Sequence, residues 1–240
     1  MAIDVKSRAV ATRTLKIALA GQPNVGKSTV FNMLTGLNQH VGNWPGKTVE
    51  MKAGGLEHHG VSIDVVDLPG TYSLTASSPE EIVAREYILT EEPDVVMVVI
   101  NAASLERNLY LVAELLALSC PLVIGLNMMD VAAREGYAIR PRDLSEAIGV
   151  PVVPMTAARG EGVHDLLDEA IQVARSGGVQ DAHRPEIRED HRAILVQVQG
   201  LIDGFVPGRY PADWVALKLL EGDQEITALM HGRLPVPSWE

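Results

Sequence analysis

GQPNVGKS, Gly21 to Ser28, stands between an apolar run, LKIALA (Leu15–Ala20), and a helix-patterned stretch, KSTVFNMLT (Lys27–Thr35). Its spacing is that of a phosphate-cradling loop: a glycine, four residues, then Gly-Lys-Ser. The backbone of Gly21, Gln22, Pro23, Asn24, Val25 and Gly26 is expected to wrap a β-phosphate, glycine allowing close approach. Lys27 can reach the β- and γ-phosphates, Ser28 can offer a hydroxyl to Mg2+, and Thr29 follows in the first helical turn. The helix N-terminus adds partial positive charge. A strand before the loop and a helix after it point to an α/β fold.

Outward from this loop, strand-length apolar runs recur: VSIDVV (Val61–Val66), DVVMVVI (Asp94–Ile100), PLVIGLN (Pro121–Asn127) and VPVVPM (Val150–Met155). They are mostly continuous and not alternating, as in strands buried on both faces of a parallel sheet. Helix-patterned stretches separate them: Pro79–Leu89, Leu105–Leu118, Pro141–Ile148 and Gly162–Ala174. A further strand around Thr48–Leu56 turns back at Gly60 as an antiparallel edge hairpin. The expectation is a mostly parallel six-stranded sheet with helices on both faces. After Ser176-Gly177-Gly178 the pattern becomes charged and helical, and no comparable strand run returns. The chain therefore divides into a lead-in at 1–14, an α/β domain at 15–175 and a small all-helical domain at 176–240.

Composition narrows the classes. The 240 residues are 47% hydrophobic and carry a net charge of −11, which supports a core and gives no overall basic footprint for nucleic acid. Cys120 is the only cysteine, which excludes an internal disulfide, and its apolar setting predicts a buried, unreactive thiol. No run of about eighteen apolar residues appears, and the N-terminus lacks the apolar stretch of a secretory signal, so the chain is not expected to cross a membrane by itself.

Three later motifs suit the phosphate loop. DLPG, Asp67–Gly70, ends a strand, where Asp67 can hold Mg2+ through a water and Gly70 can offer its N–H to a γ-phosphate. NMMD, Asn127–Asp130, follows the next-to-last strand. The Asp130 carboxylate can accept from N1–H and the exocyclic amine of guanine, which adenine cannot offer. Asn127 can fix the loop and reach the base edge, and Met128 stands beside it. Thr156, Ala157 and Ala158 then open a loop that can close over the base through a backbone N–H. Between the first two motifs lies HVGNWPGKTVE, His40–Glu50, which reads as a surface loop.

In this order the motifs resemble the five nucleotide-binding motifs of small GTPases, over about Leu15–Ala174. GQPNVGKSTVFNMLTG, VGNWPGKTVE, VDLPGTYSL, SPEEIVAREYIL, LNMMDVA and the tail WVALKLLEGD together are similar to the N-terminal cytosolic part of the FeoB ferrous-iron transporters. The resemblance implies GTP hydrolysis to GDP with Mg2+, activated by K+. It implies a helical domain named for slowing GDP release, and a polytopic membrane domain of the same polypeptide, at the cytoplasmic face of a bacterial inner membrane. It leaves open small cytosolic partner proteins and a homo-oligomer. It makes HVGNWPGKTVE the first switch loop, with Thr48 as the residue that meets Mg2+ and the γ-phosphate beside Gly46 and Lys47. It also implies that K+ is held by Asn24 with the carbonyls of Gly42 and Trp44. A Trp44 that merely packs is the competing reading.

Several residues depart from the pattern the resemblance leads one to expect. Thr71 follows Gly70 where Ras-like enzymes carry a water-orienting glutamine, so unassisted turnover would be slow, on the order of 10⁻³ s⁻¹ or below. Gln22 stands where asparagine is usual, with little effect expected, because backbone amides do the phosphate work. Lys47 replaces an aliphatic residue, Met128 replaces the lysine of N-K-x-D, and Thr156-Ala157-Ala158 differs from a Ser-Ala-Arg loop. Glu80 and Glu81 suit either the second switch or a helix N-terminus. His58 and His59 are expected to point to opposite faces of a strand, with no carboxylate joining them. Two rivals stand beside the GTPase reading: a nucleotide-sensing interaction module with incidental turnover, and a soluble ribosome-assembly-type GTPase, which the acidic tail disfavours.

Overall fold

Mostly apolar runs form the central strands. The computed structural model describes residues 13–75, 78–178, 182–183 and 189–234. The lead-in at 1–12, the two residues at 76–77, most of 179–188 and the terminal Pro-rich stretch lie outside the described residues.

In chain order the elements are β1 (Leu15–Gly21), α1 (Lys27–Thr35), β2 (Gln39–Asn43), β3 (Glu50–His58), β4 (Val61–Asp67), α2 (Pro79–Glu91), β5 (Val95–Asn101), α3 (Leu105–Ala117), β6 (Leu122–Asn127), α4 (Met129–Arg134), α5 (Pro141–Ile148), β7 (Val152–Pro154), α6 (Val163–Arg175), α7 (Glu189–Ile202), α8 (Ala212–Leu220) and α9 (Gln224–His231). They build one sheet in the order β2-β3-β4-β1-β5-β6-β7. The pairs β4–β1, β1–β5, β5–β6 and β6–β7 are parallel, whereas β3–β4 and β2–β3 are antiparallel.

The sheet has seven strands, not six. The added strand is β2, QHVGN, which pairs Gln39–Asn43 with Gly54–Glu50 of β3. No apolar face announces it, because it is an edge strand whose side chains are partly or fully exposed; backbone pairing alone defines it. The predicted hairpin forms with its turn at His59-Gly60, but it is inside the sheet and β2 takes the edge.

Alternation along the central strands sends side chains into two cores. Ile17, Leu19, Val95, Met97, Val99, Val123 and Val153 meet Val30 and Phe31 of α1 and Leu166, Leu167 and Ala170 of α6. Ala18, Val96, Val98, Ile124 and Leu126 face the other way, onto Ile88 of α2 and Leu111, Val112 and Leu115 of α3. That second core continues without a break into Leu195, Trp214, Val215, Ile226 and Met230 of α7–α9. Among the described residues after Gly178 only helices occur. Trp214 of α8 is fully buried. Cys120 is partly and not wholly buried; its Sγ–H donates to Leu115 O at 3.5 Å, and desolvation pushes its thiol up to about 12. No helix among the described residues is long and apolar enough to cross a membrane.

The topology places the site. The chain leaves β1 toward β4 on one side and later adds β5 on the other, so the loop after β1 lies where strand order reverses. In open parallel sheets that crevice, at the carboxyl ends of the strands, is where ligands bind. The phosphate loop, DLPG and NMMD follow the ends of β1, β4 and β6 respectively.

Candidate functional site

The loop between β1 and α1 has two residues in left-handed backbone, Asn24 (φ 64°) and Gly26 (φ 90°). Asparagine tolerates that region. At position 26 glycine is required twice over, because a Cβ there would also lie 2.3 Å from Asn127 Nδ2. Ser28, Thr29 and Asn24 are exposed on the loop and the first turn of α1, while Gly21, Gln22 and Val25 are buried beneath it. Lys27 is nearly buried, its ammonium paired with the Asp67 carboxylate and donating to Leu68 O at 2.6 Å. Burial raises the Asp67 carboxyl above its ordinary range, against the opposing pull of Lys27. Gly70 lies against the loop, where a Cβ would come within 3.4 Å of Pro23, and Thr71 N–H donates to Gly21 O at 3.3 Å. DLPG is thus fastened to the phosphate loop from below.

Asn127 joins this cluster to the third motif. Its Nδ2–H donates to Val25 O at 2.9 Å, and its Oδ1 accepts Ala157 N–H at 2.9 Å. Both ends of the amide therefore tie the phosphate loop to the Thr156–Ala158 loop, the loop-fixing role expected of Asn127. Ala157 correspondingly spends its N–H on Asn127, while Ala158 beside it is exposed. Thr156 is buried and bridged to Glu161. Met128 holds a left-handed φ of 62°, a conformation costing a non-glycine residue about 1 kcal/mol or more. It turns the chain so that Asp130 falls in the first turn of α4, with Arg134 and Arg159 each 3.7 Å from its Oδ2.

The His40–Glu50 segment forms an edge strand and a closed turn. Gly42 lies in β2 opposite Met51. Trp44 N–H donates to Val49 O at 2.9 Å, and its carbonyl accepts Lys47 N–H at 3.0 Å, closing a turn through Gly46. The Trp44 indole meets Tyr87 edge-on at 5.3 Å, so in this conformation the side chain packs. Gly46, Lys47 and Thr48 are exposed.

Four contacts had no local signal. Gln22 is buried and locked to α3, its Nε2–H donating to Arg107 O at 2.7 Å and its Oε1 accepting Arg107 Nε–H at 3.2 Å; its side chain therefore matters to the loop's anchoring. Glu114 of α3 accepts the Leu74 N–H in the segment after DLPG and the Lys218 ammonium of α8 at 2.6 Å. Arg85 of α2, wholly buried, donates to Asp223 at 2.7 Å and to Glu225 at 2.6 Å at the start of α9. Glu81 accepts Ser73 Oγ–H at 3.0 Å, whereas Glu80 is exposed at the first turn of α2. Each pair lies eight or more residues apart, and most lie many tens apart, beyond any sequence periodicity. The histidine expectation also fails. His59 has φ 49°, which breaks strand alternation, and both imidazoles meet Asp168 of α6.

The donor set suits Mg2+: the Ser28 and Thr48 hydroxyls and the Asp67 carboxylate are hard oxygen ligands. For K+, Asn24 is exposed and accessible, but the Trp44 carbonyl is engaged within its own turn.

Comparison with known proteins settles the lineage of this arrangement. The family described as "Ferrous iron transport protein B" matches residues 15–170. The chain belongs to that family. It is 42% identical over 220 residues to a protein of Methanocaldococcus jannaschii named Fe(2+) transporter FeoB, covering 91% of this chain and 32% of that protein. It is 40% identical over 219 residues to a Porphyromonas gingivalis protein named as a fusion of Fe(2+) transport protein A and Fe(2+) transporter FeoB, covering 88% of this chain and 26% of that one. The chain thus spans about a third or less of these ferrous iron transport proteins. Among solved structures, the cytosolic domain of the T. maritima FeoB iron transporter in a GDP form superposes with a TM-score of 0.85 at 35% identity, covering 95% of this chain and 88% of that one.

Proposed function

We propose that the chain binds guanine nucleotides and hydrolyses GTP to GDP and phosphate, as the regulatory cytosolic portion of a ferrous-iron transporter. The observation that carries this reading is the convergence of Lys27, Asp67, Gly70 and Asn127 around one loop at the carboxyl ends of β1, β4 and β6. The neighbour from T. maritima in a GDP form supports it.

In this reading the Gly21–Gly26 backbone and Lys27 hold the phosphates, the ammonium moving from Asp67 to the more highly charged ligand. Ser28 and Thr48 would hold Mg2+ directly and Asp67 through a water, and the ion would supply charge neutralisation at the phosphates. Asp130 selects guanine and Met128 stands beside it without the long stem a lysine would lay over the base, while Asn127 keeps the two loops in register and leaves the base-edge N–H to Ala158. K+ assistance falls to Asn24, and the carbonyls of Gly42 and Trp44 join it only once the turn at Trp44–Lys47 opens. Residues 15–175 form the GTPase domain and 176–240 a helical domain that restrains GDP release. A polytopic membrane domain of the same polypeptide would place this chain at the cytoplasmic face of the bacterial inner membrane. Small cytosolic proteins and self-association are further partners consistent with the reading.

A nucleotide-sensing module with incidental turnover is the second reading, favoured by the closed Trp44–Lys47 turn. Steady-state GTP hydrolysis in KCl and in NaCl at equal ionic strength, wild type beside Asn24→Ala, separates them. A several-fold K+ acceleration that the alanine variant loses supports the enzyme. Equal, negligible rates in both salts support the sensor. Guanine selection is tested by Asp130→Asn, which is expected to exchange GDP for xanthosine diphosphate because the amide donates where the carboxylate accepted.

A further inference from the structure

Among the described residues, one group of histidine, cysteine or acidic side chains lies close enough to share a metal ion: His58, His59 and Asp168. The site has no part in nucleotide binding, since the His59-Gly60 turn is at the end of β4 opposite Asp67. The left-handed backbone at His59 brings two consecutive imidazoles to the same side, ring centroids 4.2 Å apart. Both aim Nε2 at one carboxylate oxygen of α6: His58 Nε2 is 2.7 Å and His59 Nε2 3.6 Å from Asp168 Oδ1. The three ligand atoms all fall within 4.8 Å of one another.

Geometry and chemistry agree. An ion with tetrahedral ligands at about 2.0–2.1 Å holds those ligands roughly 3.4 Å apart. Admitting it needs the short His58–Asp168 contact to open by less than an ångström. Two imidazoles and a carboxylate form a mixed nitrogen and oxygen set that suits first-row transition metals and not Mg2+ or Ca2+. His58 is largely buried and fixes the site from within, while the His59 side chain is 75% exposed and the Asp168 side chain 43% exposed, leaving a path of entry. His164, one helical turn before Asp168, stacks nearly parallel to His58 at 5.8 Å and stands next to the cluster.

We propose that His58, His59 and Asp168 bind a divalent first-row transition-metal ion that pins the β3–β4 hairpin to α6. The alternative is a hydrogen bond between His58 and Asp168 and nothing more. The test uses the tag-free chain with GDP and excess Mg2+, which occupies oxygen-lined sites, titrated with Co2+ by visible absorption and with Zn2+ by calorimetry. One ion per chain is expected, with cobalt bands showing nitrogen ligation and with Zn2+ raising the thermal midpoint. Asp168→Asn and His59→Gln should each weaken binding by at least the roughly tenfold that even outer-sphere changes cost. His59→Gln is the safer variant, because that exposed ring carries little packing, and its metal-free melting should match wild type. An absence of binding overturns the proposal, as does binding equal in wild type and both variants. Neither outcome touches the GTPase reading, since hydrolysis is not measured.

Discussion

Asn127→Ala tests whether this residue is a clamp or a base contact. The truncation deletes two hydrogen bonds of 2.9 Å, and both backbone partners, Val25 O and Ala157 N–H, belong to buried residues. A net hydrogen bond contributes about 1 kcal/mol, and a stranded buried partner costs about 1–3 kcal/mol. Two such groups put the loss at roughly 2–4 kcal/mol, since some relaxation will satisfy part of the demand. With a urea slope of about 2–3 kcal/mol/M, the unfolding midpoint should fall by about 0.7–2 M. The assay is urea unfolding followed by circular dichroism, beside titration with a fluorescent GDP analogue. Clamp loss should weaken GDP binding in the wild-type background and xanthosine diphosphate binding in an Asp130→Asn background by the same factor, because both loops loosen whatever the base. A variant that keeps wild-type stability within about 0.5 kcal/mol, yet loses guanine binding, would refute the reasoning and return Asn127 to the base edge.

The remaining predictions concern the contact of α2 and α3 with α8 and α9. Arg85→Ala removes the cation facing Asp223, whose carboxylate is wholly buried, and should cost about 3–5 kcal/mol by urea unfolding; Arg85→Met with Asp223→Asn, which removes both charges, should recover part of it. The Lys218 ammonium is depressed by desolvation but raised by more through Glu114 and Glu221, so its net shift is above the ordinary 10.5. The folded state then holds that proton more tightly than the unfolded chain. Its contribution is complete below about pH 10.5 and is lost as pH rises through the folded pKa. Urea midpoints between about pH 8 and pH 11 should therefore show the difference between wild type and Lys218→Met shrinking at the alkaline end; a constant difference would show that the charge is not what Lys218 contributes.

These contacts explain how the segment after DLPG meets the helical region. Glu114 holds the Leu74 N–H with one oxygen and Lys218 with the other, and Arg85 reaches both Leu74 O at 3.4 Å and Asp223. A displacement of Leu74 thus loads the same two side chains that fasten α8 and α9. Isolated buried charges are expensive, so removing one partner strands the charge it faced.

What the sequence determined was whatever is written in neighbouring residues. Helices α1 and α5 fall at their predicted bounds because a glycine-rich loop, Pro141 at the first turn and Gly149 at φ 75° are local signals. The buried strands β1, β5 and β6 were legible as continuous apolar runs, and the phosphate loop, DLPG and NMMD as short motifs with a fixed chemistry. Tertiary structure decided the rest. Strand β2 exists because its polar residues find backbone partners on β3, which no hydrophobic pattern reports. Asn127 is a clamp because its partners lie 102 and 30 residues away. His58 and His59 share a carboxylate because one left-handed residue reverses the alternation that a strand would impose, and because α6 returns 110 residues later to meet them. Periodicity fixes which face a residue takes; only the closed fold fixes what that face touches.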